Sequence, residues 1–123
     1  MNILLTNDSR LPIYEQLMRA IKQSILRGEA GPGDMLPSIR GLARDLDISV
    51  ITTSRAFEEL EKEGLIYSVQ GKGFYVNQMD KKLLKETQLK DWEEAAGAWI
   101  DEGKRLGLSL EEILKAAELL YSR

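Results

Sequence analysis

Neither cysteine nor histidine occurs anywhere in the 123 residues. Without cysteine there can be no disulfides or thiolate metal sites, which accords with a reducing compartment. Without histidine the commonest general base and the imidazole metal ligand are gone, so acid–base chemistry would rest on carboxylates alone. No motif brings a pair of carboxylates together, and the turns GPGD and QGKG are too short for phosphate loops. The chain is therefore expected to be no enzyme and to carry no metal or cofactor. No apolar run approaches the ~20 residues of a membrane span. The opening stretch MNILLTNDSRLP has no basic start, long apolar segment and small-residue cleavage site, so no signal peptide is expected and a cytoplasmic location follows.

What is present suits a soluble globular chain, with 43% hydrophobic and 30% charged residues. Its length allows one compact domain plus an appendage. The net charge of −3 does not advertise a polyanion partner. It is unevenly spread, however. Up to Phe57, seven Lys and Arg (Arg10, Arg19, Lys22, Arg27, Arg40, Arg44, Arg55) oppose six Asp and Glu, and the acidic excess begins at Glu58, Glu59, Glu61 and Glu63. Because phosphate contacts supply most non-specific affinity for nucleic acid, such a partner requires that folding sort the charges onto different faces.

Ile13, Leu17, Ala20, Ile21, Ser24 and Ile25 recur at three- and four-residue steps and predict an amphipathic helix, with Pro12 at its start and Gly28 at its end. The connector EAGPGDMLP follows, its Gly31, Pro32, Gly33 and Pro37 arguing against regular structure. Ser38 can cap a short helix burying Ile39, Leu42, Ala43 and Leu46. A tight break at Asp47 and Ile48 leads to Ser49, which can cap a second helix with Thr53, Ala56, Phe57 and Leu60 as its inner stripe. Two helices across so short a turn form a helix-turn-helix. LIYSVQGKGFYV then reads as a hairpin with Gln70-Gly71-Lys72-Gly73 at its turn, placed as a wing. Beyond it, Leu89, Trp92, Ala95, Ala96, Trp99, Ile100 and Leu106 mark one helix. After Gly107, Ser109 and Glu112 form a capping box for another, with Leu110, Ile113, Leu114, Ala117, Leu120 and Tyr121 along it. The expected fold is mainly α with a β-hairpin wing: a winged helix-turn-helix in residues 1–77 and a two-helix dimerisation tail in residues 78–123.

The order of helix, connector, LPSIRGLARDLDIS, TTSRAFEELEKEGLI and QGKGFYV resembles the GntR family of transcription regulators over about residues 10–77. The short C-terminal part is similar to the YtrA-like subfamily, in which only two helices follow the DNA-binding domain. Longer subfamilies carry a ligand-binding domain for which this chain has no room. The resemblance implies a twofold dimer on a roughly palindromic operator of double-stranded DNA, usually in repression. The second helix of the motif would enter the major groove and the wing glycine approach the minor groove. By position it implies roles for Arg40, Ser49, Thr52 and Gly71. Many members carry arginine where this chain has Val50 and Ser54, so arginine contacts are not carried over there.

Read from the residues themselves, the inner stripe leaves Val50, Ile51, Ser54 and Arg55 on the outer face of the second helix's first turns, the part that reaches base edges. Val50 and Ile51 can pack on thymine methyl groups while Ser54 or Arg55 offers hydrogen bonds, which predicts an A/T-rich half-site. Packing of Val50 or Ile51 on the preceding helix is the alternative. Ser38, Ser49 and Thr52 can serve as caps, a role compatible with holding a phosphate at a helix start; Arg40 can contact the duplex backbone or form a surface ion pair. Gly71 has an ordinary reason to be in a tight hairpin, and Lys72 at the tip suits phosphate or minor-groove contact as well as plain solvation. For the tail, Leu89, Trp92, Ala96, Trp99, Ile100, Leu110, Ile113, Leu114, Ala117 and Tyr121 are candidate subunit-interface residues. Packing on the N-terminal domain, or a pocket for a small-molecule effector lined by the tryptophans, are the other readings. A winged-helix module that grips a protein is the competing function.

Overall fold

The computed structural model describes residues 3–7 and 10–123. Contacts divide the chain into two compact units, 1–84 and 85–123. In the first unit, α1 (Ile13–Leu26) begins at Pro12, whose carbonyl accepts from the Gln16 N–H at 3.1 Å. It stops at Arg27, and Gly28 follows at φ +80°, in the left-handed region where a glycine is unstrained. Its buried face holds Leu17, Met18, Ile21, Ser24 and Ile25, with Lys22 among them. Ala20 is only half-buried; Met18 takes the place the spacing assigns to it.

α2 (Ile39–Leu46) and α3 (Val50–Lys62) both start at serines. Ser38 Oγ accepts from the Gly41 N–H and Ser49 Oγ from the Thr52 N–H, each at 3.0 Å. A Cβ at residue 41 would fall 2.8 Å from Ser38 Oγ, so the first cap depends on glycine there. Between the helices Asp47 sits at φ 54°. Leu42 and Ala43 of α2 and Thr53, Ala56, Phe57 and Leu60 of α3 are buried. The Thr53 hydroxyl escapes an unpaired burial by donating to the Ser49 carbonyl at 3.0 Å.

β1 (Ile66–Val69) and β2 (Gly73–Val76) pair antiparallel in the register Ile66 with Val76 and Val69 with Gly73. Gln70, Gly71 and Lys72 make the turn, and Gly73 belongs to the ladder. The connector is more ordered than its glycines and prolines suggest. Gly33 N–H donates to the Val76 carbonyl, Val76 N–H to the Asp34 carbonyl, and Leu36 N–H to the Phe74 carbonyl, at 2.8 to 2.9 Å. Pro32 and Pro37 flank this stretch and so cost it no donor. Met35 thereby bridges Tyr75, and Leu36 is delivered to the core.

That core gathers Leu17 and Ile21 of α1, Phe57 and Leu60 of α3, Ile66 and Val76, all fully buried. Phe57 meets Phe74 edge-on, with centroids 5.1 Å apart at 83°. Removing a ring such as Phe57 from a core of this kind costs about 3–5 kcal/mol.

α4 (Lys81–Arg105) begins inside the first unit, where Leu84 is buried in the same core, and continues into the second. The sequence pattern starts the tail at residue 78, and Leu84 is the reason the first unit extends further. In the second unit the chain turns at Gly107 (φ +80°) from α4 into α5 (Leu110–Ser122), opened by the reciprocal Ser109–Glu112 capping box. Among the described residues no helix is long and apolar enough to cross a membrane.

Candidate nucleic-acid interface

The start of α3 is exposed because its opposite stripe is spent on the core. Ile51 is 82% accessible and so does not pack away on the preceding helix, while Val50, at 44%, is exposed but partly covered. Ser54 and Thr52 are half-buried, and Arg55 is exposed. Ile51 and Arg55 are four residues apart and so share one face of the helix.

Two hydroxyls mark the entrance to that face. Ser49 Oγ donates to Thr52 Oγ1 at 2.8 Å while accepting from the Thr52 N–H. The Ser49 proton is thus used internally, and the Thr52 hydroxyl keeps its own for an outside acceptor at the positive end of the helix. Ser38 occupies the equivalent cap of α2, and Arg40 projects from that helix's first turn into solvent.

The charges sort along α3. Its first turn contains no acidic residue, and its carboxylates cluster in the second half, where most are engaged. Glu59 pairs with Lys62 at 3.4 Å and Glu63 with Lys22 at 2.9 Å. Glu61 Oε2 accepts from both the Ser68 N–H at 2.9 Å and the Ser68 hydroxyl at 2.8 Å. This last contact ties β1 to α3 and sets the direction of the hairpin, reinforced by Asn77 Nδ2 donating to the Gly64 carbonyl at 3.1 Å. The Glu61–Ser68 link has no sequence signature: its partners are seven residues apart on different elements. The stacked pair Tyr67–Tyr75, centroids 5.7 Å apart, stiffens the strands. At the tip Gly71 takes φ +79°, with nothing within 4 Å of where a Cβ would sit, and Lys72 beside it is exposed.

Arg55 carries a contact that periodicity does not reveal. Its Cζ lies 3.9 Å over the centre of the Tyr14 ring of α1, and its Nη2 donates to the Tyr14 hydroxyl at 3.2 Å.

In the tail, Trp92 is 65% exposed, and Leu89, Trp99, Ile100, Leu110, Leu114, Leu120 and Tyr121 are exposed as well. Ala117 is exposed and Ala96 half-buried. Ile113 is different: it is buried in its own chain, seated on Gly103 and beside Leu108 at the bend. Beyond the bend α4 and α5 share no extended packing surface among the described residues. The apolar stripes of both are therefore left uncovered.

A capped helix pair with an exposed second helix, followed by a hairpin locked to it, defines a winged helix-turn-helix protein. The family model described as bacterial regulatory proteins, gntR family, matches residues 13–76, and the chain belongs to that family. The HTH-type transcriptional repressor YtrA of Bacillus subtilis is 36% identical over 105 residues, covering 85% of this chain and 81% of that protein. Among solved structures, a GntR family transcriptional regulator from Listeria monocytogenes superposes with a TM-score of 0.70 at 32% identity, over 90% of this chain and 96% of that one. YtrA from Sulfolobus acidocaldarius, a GntR-family transcription factor, superposes at 0.59 with 30% identity over 98% and 97%. The AraR(DBD) solved in complex with operator ORX1 superposes at 0.56 with 30% identity, over 62% of this chain and 95% of that one.

Proposed function

We propose that the chain is a sequence-specific DNA-binding repressor that acts in the cytoplasm as a homodimer on a roughly palindromic operator. The observation that carries this reading is the uncovered edge of α3, where exposed Val50 and Ile51 stand beside Arg55 on a helix that opens with the Ser49–Thr52 hydroxyl pair. Apolar side chains in such a position suit thymine methyls, and the guanidinium suits a base edge or phosphate. Ser38, Arg40, Ser49 and Thr52 would hold the backbone on one side of the helix, and Gly71 and Lys72 on the other. The repressor names of the relatives and the operator-bound AraR domain support the same role.

The tail supplies the second half of the argument. Its helices leave Trp92, Trp99, Ile100, Leu110 and Leu114 in solvent, and an apolar stripe of that extent suits a second copy of the same tail. Residues 1–77 would then read DNA and residues 78–123 would pair the subunits. Dimerisation lets a chain with a net charge of −3 reach useful affinity, because two half-sites bind as one.

Selection of binding sites from random duplex DNA, with mass measurement of the free and bound protein, tests this directly. The expected result is an inverted repeat with A/T pairs where Ile51 lands and two chains per duplex. Failure to enrich any sequence at moderate ionic strength, with a protein partner captured by the same face instead, would overturn it.

A further inference from the structure

Arg55 is the only cation on α3 ahead of Lys62, because Val50 and Ser54 stand where the family resemblance places arginines. Its guanidinium is not left to wander. Its Cζ lies 3.9 Å over the centre of the Tyr14 ring, and Nη2 donates to the Tyr14 oxygen at 3.2 Å. The Tyr14 hydroxyl in turn donates to Glu15 Oε1 at 3.1 Å, which turns its lone pairs toward the guanidinium. The ring is partly buried against the core cluster, so the platform is part of the fold and not a loose surface contact. A cation–π contact of this kind and a single hydrogen bond from Nη2 leave most of the five guanidinium N–H donors available. Among the described residues no carboxylate pairs with them.

We propose that Tyr14, on the first helix, is a positioning residue for base recognition: it holds Arg55 extended beside Ile51, so that the guanidinium edge meets one defined base pair. The inference rests on the DNA-binding role proposed above. An arginine side chain loses considerable rotamer freedom when it docks on a base, and a platform that removes this freedom before binding turns it into affinity and selectivity. Tyr14 touches no DNA in this arrangement. It acts through Arg55.

The test uses the full chain and the site that the wild type itself enriches from random DNA, with affinity and base preference measured at every position. Arg55→Ala is expected to lose about tenfold or more in affinity and to relax selection at one base pair per half-site. Tyr14→Leu should lose about three- to tenfold and relax the same base pair, and Tyr14→Phe, which keeps the ring, should restore most of that loss. In the Arg55→Ala background Tyr14→Leu should have no further effect. Arg55→Lys, which keeps the charge but not the planar fork of donors, should relax the same base pair while the salt dependence stays as in the wild type.

Three results overturn the inference. Tyr14→Leu could cost as much without Arg55 as with it, which would make its role direct or purely structural. It could strengthen binding, in which case the ring competes with DNA for the guanidinium. Arg55→Lys could keep full selectivity, and this variant decides the matter even should Tyr14→Leu not fold. A wild type that enriches no sequence at all would instead overturn the DNA-binding reading.

Discussion

Lys22 Nζ lies 2.9 Å from Glu63 Oε2, which joins the buried face of α1 to the C-cap of α3. The two ends of this pair are not equivalent. The lysine side chain is 7% exposed and the glutamate 45%. Removing the acid leaves a nearly buried ammonium without its partner, whereas removing the lysine leaves a carboxylate that water can reach. Breaking a fully buried pair costs about 3–5 kcal/mol, and the exposure of Glu63 reduces this to about 1–2 kcal/mol. Glu63→Ala is therefore expected to lower the urea midpoint clearly. Lys22→Met should change it by less than about 1 kcal/mol, and Glu63→Ala should cost little once Lys22→Met is present. Equal losses in the two single variants would contradict this asymmetry.

Asp47 gives a second prediction. It holds the left-handed conformation at φ 54° between α2 and α3, and the Ile48 N–H behind it donates to the Ala43 carbonyl at 3.0 Å. Asp tolerates this region better than most side chains but still bears strain that glycine does not. Asp47→Gly is expected to raise stability by up to about 1 kcal/mol, or roughly 4 °C for a unit of this size. Asp47→Val, branched at Cβ, should lower it by about 1–2 kcal/mol. Thermal melts of the three proteins at one concentration decide the order.

Much of this architecture can be read without coordinates, for identifiable reasons. The inner stripe Thr53, Ala56, Phe57 and Leu60 repeats at helical spacing, and each of these side chains is buried. The Ser109–Glu112 box declares a helix start through a local motif, and the box is formed. What escapes the pattern is whatever depends on a distant partner. Lys22 reads as a surface cation until Glu63 is brought to it. Arg55 reads as a free contact until Tyr14, 41 residues earlier, is laid beneath it. The connector's glycines and prolines read as a plain loop, yet the chain between them borrows the open edge of β2. Ile113 shares the periodicity of its exposed neighbours, and only the absence of a side chain at Gly103 reveals that its own chain covers it.

Lys72 gives a prediction read in salt instead of stability. At an exposed hairpin tip, Lys72→Ala should leave the melting temperature nearly unchanged. Each phosphate contact contributes about 0.9 to the slope of log affinity against log salt, and a dimer presents two wings. The substitution is therefore expected to flatten that slope by about 2 on the selected operator, with base preference unchanged. An unaltered slope would mean that the wing tip stays in solvent when DNA is bound.

The bend of the tail makes the last prediction. A Cβ at Gly103 would fall 3.1 Å from Ile113 Cδ1 and 3.3 Å from its Cγ1, closer than a packed methyl is comfortably accommodated. Gly103→Val places two further methyl groups there, overpacking worth about 1–3 kcal/mol. It should push α5 away at the point that sets its course from α4. Trp92→Glu tests the same association without touching the bend, because the indole is 65% exposed in the single chain and its replacement should cost the monomer's fold little. If paired tails bury this stripe, a charge there is left desolvated in the interface, and the dimer should dissociate. Both variants are therefore expected to sediment as monomers at concentrations where the wild type is dimeric. Both should bind a palindromic operator far more weakly than the wild type, while an isolated half-site discriminates little among the three. A Trp92→Glu protein that stays dimeric would move the subunit contact off this stripe.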